Sequence, residues 1–549
     1  MSESRANGQT SADLPEHVDG VFVGAGHNAM VCAAYLARAG QRVLILEAAP
    51  HIGGGTTTDE ITLPAFRHNL HAFFVRWTPE YAVWNDLDLD RYGVTSIYPD
   101  TQNAVPFDGG ERALVTYADL DRSVAEIERI STADAAAYRR LYTDYTELVA
   151  KVDTPMRFAP PLPTDELVDL LSGSRLGRQY LAMDAQSPLD IVRGAFESEP
   201  VRSLVLFNVS VRGYLPILDV PGIGSIVALA LANSQGARMV RGGTNEVARA
   251  IAAAVVDYGG TIVADAPVAS IDVSGGRATG VTLANGRSVK TNYVVSGAPS
   301  PITMTELVGH EHLDPSLREE LADYRWLEEA LFGVHWALSE RPAFTAEVYN
   351  PDVPTALNLA LGYESSDDIE AHMHLVRSEE NTADAPLHSS IPTLHDPSQA
   401  PAGHHTTFGW HFVPGPSTRG TWDEGAVEER VKALVETYRR YAPNVDRATL
   451  ATASHSPDAT ERRIISMRGG DRHHGSFHPT NWGINRPSAR MPGYATVIDG
   501  LYLCGASQHP GGSFHGQPGY NAAACVADDL GLDKWWQPVD IRAALRALD

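Results

Sequence analysis

VDGVFVGAGHNAMVCAAYLARAGQRVLILE, residues 18–47, opens on a short apolar run that stops at Gly24-Ala25-Gly26-His27-Asn28-Ala29. A helical pattern of small residues then runs to Arg38, Gly40 closes it, and a second apolar run over residues 42–46 ends at Glu47. The order predicts a βαβ unit with GxGxxA at its first turn and an acid 21 residues beyond Gly26. Gly24 suits the tight turn, and Gly26 lets backbone approach a pyrophosphate at the helix start. Ala29 allows close helix–strand packing, and Glu47 can accept from ribose hydroxyls. The segment reads as a dinucleotide-binding start.

Working outward, a second glycine cluster follows at His51-Ile52-Gly53-Gly54-Gly55-Thr56-Thr57-Thr58. Bare backbone N–H groups there suit a second approach to the same cofactor, and the arrangement resembles the FAD-binding start of the amine oxidase/phytoene desaturase superfamily. Near the other end, residues 501–505 (LYLCG) read as a buried strand. It leads through Ala506-Ser507-Gln508-His509-Pro510-Gly511-Gly512 to Ser513-Phe514-His515-Gly516-Gln517-Pro518-Gly519-Tyr520 and a small-residue helix over 521–530. A Gly-rich loop opening a helix presents free N–H groups and a positive dipole end, which suits the negative charge of a reduced flavin.

Together these motifs resemble the phytoene desaturase–retinol saturase family of flavoproteins, in the amine oxidase superfamily. Within it they are closest to the branch that includes pyridine nucleotide-disulfide oxidoreductase domain-containing protein 2. The likeness runs over roughly residues 18–530. Its middle landmarks are Arg241-Gly242-Gly243, Gly259-Gly260-Thr261, residues 391–403, His474-Gly475, Arg486-Pro487 and Tyr494. It implies an α/β fold in which a discontinuous Rossmann-like FAD domain (17–75, 235–300, 490–532) is interleaved with an α+β substrate domain (76–234, 301–489). Residues 1–16 are expected as a disordered lead-in and 533–549 as a tail helix. Non-covalent FAD would be held by Gly24, Gly26, His27, Asn28, Ala29, Glu47, Ala48, Gly54, Gly55, Thr56, Val268, Gly505, Gly512, Gly519, Tyr520 and Asn521. The chain departs from its relatives at Ser513, Phe514 and His515, where small residues are usual, and at Tyr520, where a basic residue is common. The substrate therefore cannot be copied from the carotenoid enzymes.

Local patterns add to this. Residues 244–298 read as helix, strand, strand, hairpin (turn at Asn285-Gly286) and strand. Ser123-Val124-Ala125-Glu126 and Ser131-Thr132-Ala133-Asp134 read as helix starts. Residues 364–403, rich in Ser, Asp, His and Pro, read as a long excursion or lid.

With flavin supplying the redox chemistry, the protein orients the substrate, excludes water and manages protons. Histidine is the natural proton carrier. Of 21 His, ten lie between His395 and His515, and His68 and His71 follow the second glycine cluster. His71, His509 and His515 are the candidate catalytic residues, because flavin-contacting motifs bracket them; Trp410-His411 and His473-His474 are weaker candidates. The adjacent pairs His404-His405 and His473-His474 point apart in most backbones, so no metal is expected. Cys32 and Cys504 read as core. The four lysines, Lys151, Lys290, Lys432 and Lys534, lack the setting of the flavin-proximal Lys of amine oxidases, which demotes amine oxidation.

Charge excludes further classes. With 43 basic and 68 acidic side chains the net charge is −25, which repels nucleic acid and anionic lipid. The three cysteines make no disulfide framework. Residues 221–233 form the longest charge-free apolar stretch, short of a membrane span. The expectation is a cytoplasmic FAD-dependent oxidoreductase with at most weak peripheral membrane contact and a possible homo-oligomeric state. As a dehydrogenase/desaturase or an oxidase, it would take a hydride from an apolar or aromatic small molecule, a carotenoid or other isoprenoid among the candidates, and pass electrons to oxygen or a quinone. The alternatives are a flavin-dependent isomerase or hydratase without net redox, and a non-enzymatic prenyl carrier of the GDP-dissociation-inhibitor type.

Overall fold

Val21 and Phe22 are fully buried, so the strand His17–Val23 is covered on both faces, as in a parallel sheet under helices. Val21 pairs in parallel with Leu44 of Val43–Leu46 on one side and with Val294 of Ser288–Ser296 on the other. The computed structural model describes residues 14–75, 82–378, 385–415 and 422–548. In it these strands lie at the centre of a seven-stranded sheet. Thr261–Val263 extends one edge in parallel. On the other side the nine-residue strand Ser288–Ser296 is shared: its start pairs with the antiparallel Arg277–Leu283 and its end with the parallel Leu501–Leu503. Val268–Ser274 completes the meander.

Helix His27–Arg38 buries ten of its twelve residues between this sheet and the helices Asn245–Asp257 and Gln517–Leu530. Ala33, Ala34 and Ala37 allow that approach. The contact with Gln517–Leu530 is closest at Gly519, where a Cβ would overlap the Asn28 carbonyl. The predicted lone hairpin is part of a longer meander that also turns at Gly275-Gly276.

A second seven-stranded sheet runs Thr449–His455, Glu329–Leu338, His405–Pro414, Leu387–Ser390, Asn358–Leu361, Thr101–Phe107, Arg112–Tyr117. One face of its centre, with Phe332, Val334 and Trp336, packs on Leu434 and Tyr438 of helix Glu424–Tyr441. The opposite face carries Leu331, Gly333 and His335 on one strand, opposite Phe412, Trp410 and Phe408 on the next. This face forms the floor of the site described below. Among the described residues, no helix is long and apolar enough to cross a membrane.

Three local expectations are corrected. Ser131 does cap a helix, accepting from the Asp134 N–H, but Ser123 lies inside helix Leu120–Glu128, whose cap is Asp119. Residues 364–403 are no lid. They form helix Ser366–Ser378 and strand Leu387–Ser390, and several of their polar residues are buried and paired, as His372 is with the Tyr363 hydroxyl; residues 379–384 lie outside the described residues. The tail is helical only over Ile541–Arg546, because Pro538 interrupts it, and Trp535 stacks on Tyr35 of the chain's own first helix at 5.0 Å. The expected lead-in lies outside the described residues up to residue 13.

Candidate active site

The four parallel strands ending at Val23, Leu46, Ser296 and Leu503 point the same way, and ligands of such sheets bind beyond those carboxyl ends. A cavity of about 840 Å³ opens there. Its walls include the first residues past three of the strands, Gly24, Glu47 and Gly297, and Gly505, the second residue past the fourth. Gly24 turns with φ at 89°, a conformation glycine adopts without strain. Helix His27–Arg38 begins at Gly26, and no side chain caps it. A Cβ built on Gly26 would meet nothing within 4 Å, so bare backbone borders open space at the positive end of the helix. The second glycine cluster is tied to this turn: the Gly53 N–H donates to Ala25 O at 2.9 Å.

Glu47 closes the next wall. Its carboxylate accepts from the Ala25 N–H at 2.6 Å and the Ala49 N–H at 2.8 Å, so both oxygens are oriented by backbone. Burial pushes its pKa up, while those N–H groups oppose the rise. An uncapped helix start, bare glycine backbone and an oriented acid fit the diphosphate and ribose of a dinucleotide.

Of the residues expected to hold it, Gly24, Gly26, His27, Asn28, Ala29, Glu47, Ala48, Gly54, Gly55, Thr56, Val268, Gly505 and Gly512 line the cavity. Gly519, Tyr520 and Asn521 do not. Gly519 serves the helix contact, and Tyr520 packs between Tyr35 and Phe158 and donates to Gln537 O. Asn521 donates to the Tyr494 hydroxyl at 2.8 Å and to Arg157 O at 3.0 Å. The helix that carries them is buried nearly all round, so its small-residue pattern signals packing.

The three histidines separate in the same way. His71 and His515 line the cavity; His509 does not, and its Nε2 is held by Met156 O at 2.9 Å. Burial lowers the pKa of all three, to about 4 for His509 and well below the usual imidazole range for the others. His515 Nδ1 accepts from the Gln517 N–H at 3.1 Å, which leaves its proton on Nε2. His71 Nε2 is buried without a hydrogen-bond partner among the described residues, and its ring abuts His455, which in turn lies beside His335 and then His68. Trp410, His473 and His474 also line the cavity, whereas His411 points to the other side of the sheet and stacks on His372. The unusual Ser513, Phe514 and His515 are all wall residues, and no lysine among the described residues is.

Sequence reading missed the floor. Leu331, Trp410 and Phe412 come from two strands of the second sheet, and Phe73, Tyr214 and Phe477 close the apolar sides. Gly333 lies between Trp410 and His455 because a Cβ there would overlap the His455 ring. Arg472 also lines the floor, with its guanidinium 4.8 Å from the Phe412 ring and paired to the fully buried Glu329.

Residues 30–527 match the family described as flavin containing amine oxidoreductase. The chain belongs to that family. A limonene dehydrogenase polypeptide from Castellaniella defragrans is 29% identical over 544 residues, spanning 96% of this chain and 97% of that protein. Mouse pyridine nucleotide-disulfide oxidoreductase domain-containing protein 2 is 28% identical, spanning 96% of each chain. Among solved structures, cyclohexylamine oxidase from Brevibacterium oxydans superposes with a TM-score of 0.56 at 18% identity, covering 94% of this chain and all of that one, which shows the fold. The protein is thus a flavoenzyme with the expected α/β architecture, and FAD is its cofactor. A prenyl carrier without flavin is set aside.

Proposed function

We propose that this flavoenzyme is a dehydrogenase that removes a hydride from a small, largely apolar molecule and passes the electrons to oxygen or a quinone. The observation that carries the reading is the shape of the cavity, which begins at the dinucleotide motifs and ends on a floor of Phe73, Trp410, Phe412 and Leu331. Its full-length likeness to the limonene dehydrogenase polypeptide supports a substrate of modest size.

Bound FAD supplies the hydride acceptor. The chain's own residues do the rest. The aromatic floor binds the apolar body and excludes water. Loss of hydride leaves an electron-poor carbon skeleton whose adjacent C–H bonds are strongly acidic, so even a weak base can take the proton. His71, which lines the cavity and is kept neutral by its apolar surroundings, is that base. His515, with its proton on Nε2, can donate a hydrogen bond but not accept the proton there.

The test is anaerobic addition of limonene and other small cyclic hydrocarbons to the purified yellow enzyme. The visible flavin band should bleach as a product two electrons more oxidised forms. Turnover without bleaching, giving an isomer or hydrate at unchanged oxidation level, would replace oxidation with the non-redox alternative.

A further inference from the structure

The parallel strands, the turns after them and the helices packed on them bring no arginine or lysine to the cavity wall. The six wall arginines, Arg157, Arg212, Arg462, Arg463, Arg468 and Arg472, all come from other segments. The histidines beside the dinucleotide motifs do not replace them, since burial holds His27 at about 4 and lowers His51 as well. An FAD diphosphate carries two negative charges, and a helix start answers them with only about half a positive one. The remaining countercharge falls to the arginines.

Of these, Arg463 is tied to the second glycine cluster. It is the last residue of helix Pro457–Arg463, and its Nη2 donates to Asp59 at 2.9 Å, three positions beyond Thr56. Four residues further on, Met467 covers Gly55 so closely that a Cβ there would lie 2.9 Å from its Cε. The cluster itself lies on the dinucleotide turn, where a Cβ on Gly54 would lie 3.4 Å from the Gly26 Cα. Arg468 pairs with both oxygens of Glu306 at 2.6 and 2.7 Å, so the run 463–468 is pinned at its two ends, and every residue of it lines the cavity.

The remaining arginines are placed otherwise. Arg468 turns to Glu306 and Glu461, Arg462 is exposed, Arg157 and Arg212 neighbour His515, and Arg472 lies on the Phe412 ring. The Arg463 side chain keeps 24% of its surface accessible, and its Nη1 is neither bonded to a described residue nor sealed from the cavity. A planar fork held by a carboxylate through one nitrogen has the direction of the other fixed, which suits a phosphate oxygen.

We propose that Arg463 Nη1 donates to the diphosphate of FAD and that the pair with Asp59 aims it there. The helix start and Arg463 then answer the two negative charges together, and the cofactor is held jointly by segments from opposite ends of the chain.

The test uses the holoenzyme and two readings other than turnover. One is the rate of FAD loss on dilution, followed by the return of free-flavin fluorescence; the other is the phosphorus NMR resonances of the bound diphosphate. Arg463→Gln should lose FAD about 10- to 100-fold faster, the range for a hydrogen bond between charged groups. Its diphosphate resonances should move from the parent's positions while the visible flavin band stays in place. Arg463→Lys keeps the charge without the fork and should give a smaller change in the same sense. Asp59 is half-exposed, so neither substitution strands a buried charge; if Arg463→Gln is nevertheless recovered without flavin, the same two readings on Arg463→Lys decide. FAD loss within about twofold of the parent, with unmoved resonances, would overturn the proposal. Faster loss with unmoved resonances would make Arg463 a structural clip, and a displaced visible band with unmoved resonances would place it at the isoalloxazine ring; either result overturns it equally. None of these readings depends on which substrate bleaches the flavin.

Discussion

Replacing Arg486 with Met should release the loop that forms one wall of the flavin cavity. Arg486 is fully buried and donates to the carbonyls of Ser476 at 2.7 Å, Ala506 at 2.9 Å and His473 at 3.1 Å, with longer contacts to Gly475 and Asn481. One side chain thus ties residues 473–481 to the segment after the Leu501–Leu503 strand, and His473, His474, Gly505 and Ala506 all face the cavity. Its charge is balanced by buried Asp471, which accepts from the N–H groups of Leu327, His473 and Gly475. His474 holds a left-handed φ of 54°, a strained conformation that these bonds pin in place. Losing the three short bonds strands three buried carbonyls at about 1–3 kcal/mol each. Removing a buried charge returns part of that, and the net cost of breaking such a charged network is about 3–5 kcal/mol. With an unfolding entropy of about 2.1 cal/mol/K per residue over 549 residues, that is a fall in Tm of about 3–4 °C if the chain unfolds as one unit. The local effect should be larger, since the loss falls on the cavity wall. Thermal shift of the holoenzyme, together with FAD release followed by the return of free-flavin fluorescence, measures both. Arg486→Lys should not rescue, because an ammonium cannot span carbonyls from two segments. A Met variant within about 1 °C of the parent and about twofold in FAD affinity would refute this account of the loop.

Gly519→Ala should weaken FAD binding by at least about tenfold, measured by equilibrium titration of the apoprotein, because the new Cβ pushes on Asn28 at the start of the dinucleotide helix. His71→Phe should slow anaerobic flavin reduction by about 10²-fold, as loss of a general base does, whereas His509→Phe should lower thermal stability and leave that rate nearly unchanged. The protein should be acid-labile. His27, His68, His372, His455 and His509, held at about 4, and His474, at about 3, stay neutral when folded but take up protons near 6.5 when unfolded, so their stabilisation is full above 6.5 and is lost as pH falls toward 4. Between pH 7 and 5.5 each costs about 1 kcal/mol. Glu329, raised to about 7, and Asp184, raised to about 6, change in the opposite sense and return about 2 kcal/mol together, so urea midpoints should record a net loss of about 4–5 kcal/mol. FAD association with the apoprotein, followed by stopped-flow flavin quenching, should quicken as salt rises from about 0.05 to 0.3 M, since screening acts first on the repulsion between like charges.

The dinucleotide half was legible because its signals are local. A strand, a tight glycine turn, a helix and an acid follow one another within residues 18–47, and each residue's task depends on its neighbours in the chain. The substrate half was not. EALFGVHWAL and HTTFGWHFVP are nearly or wholly buried along their length, so they show no alternation of apolar and polar residues, and each pairs with a strand far away in the chain. The segment 364–403 misled because several of its polar residues are buried and paired: Asp396 accepts from the Gly242 N–H at 2.6 Å and Gln399 at 3.0 Å. Composition registers polarity but not the partner that makes its burial tolerable. Arg472 and Arg486 carry no motif that names their task, and their significance comes from the carbonyls and carboxylates that distant segments bring to them.

The same distinction between near and far governs the charge. A body of −25 repels polyanions at long range, yet six arginines line the cavity against only two acids, Glu47 and Glu306, among the described residues. Several of those arginines are anchored by carboxylates outside the wall, Arg463 by Asp59, Arg157 by Asp153 and Arg472 by Glu329, so they contribute directed donors more than net positive field. Directed donors act over hydrogen-bond distances and are weakly screened when buried, whereas the outer charge acts over a Debye length of about 10 Å and fades with salt. The surface charge thus acts on macromolecules at a distance, while the cavity arginines act only within hydrogen-bond reach. Arginine suits a buried, directed contact better than lysine because its planar fork fixes the direction of each N–H. A cavity wall with arginine and no lysine among the described residues is what such a division requires.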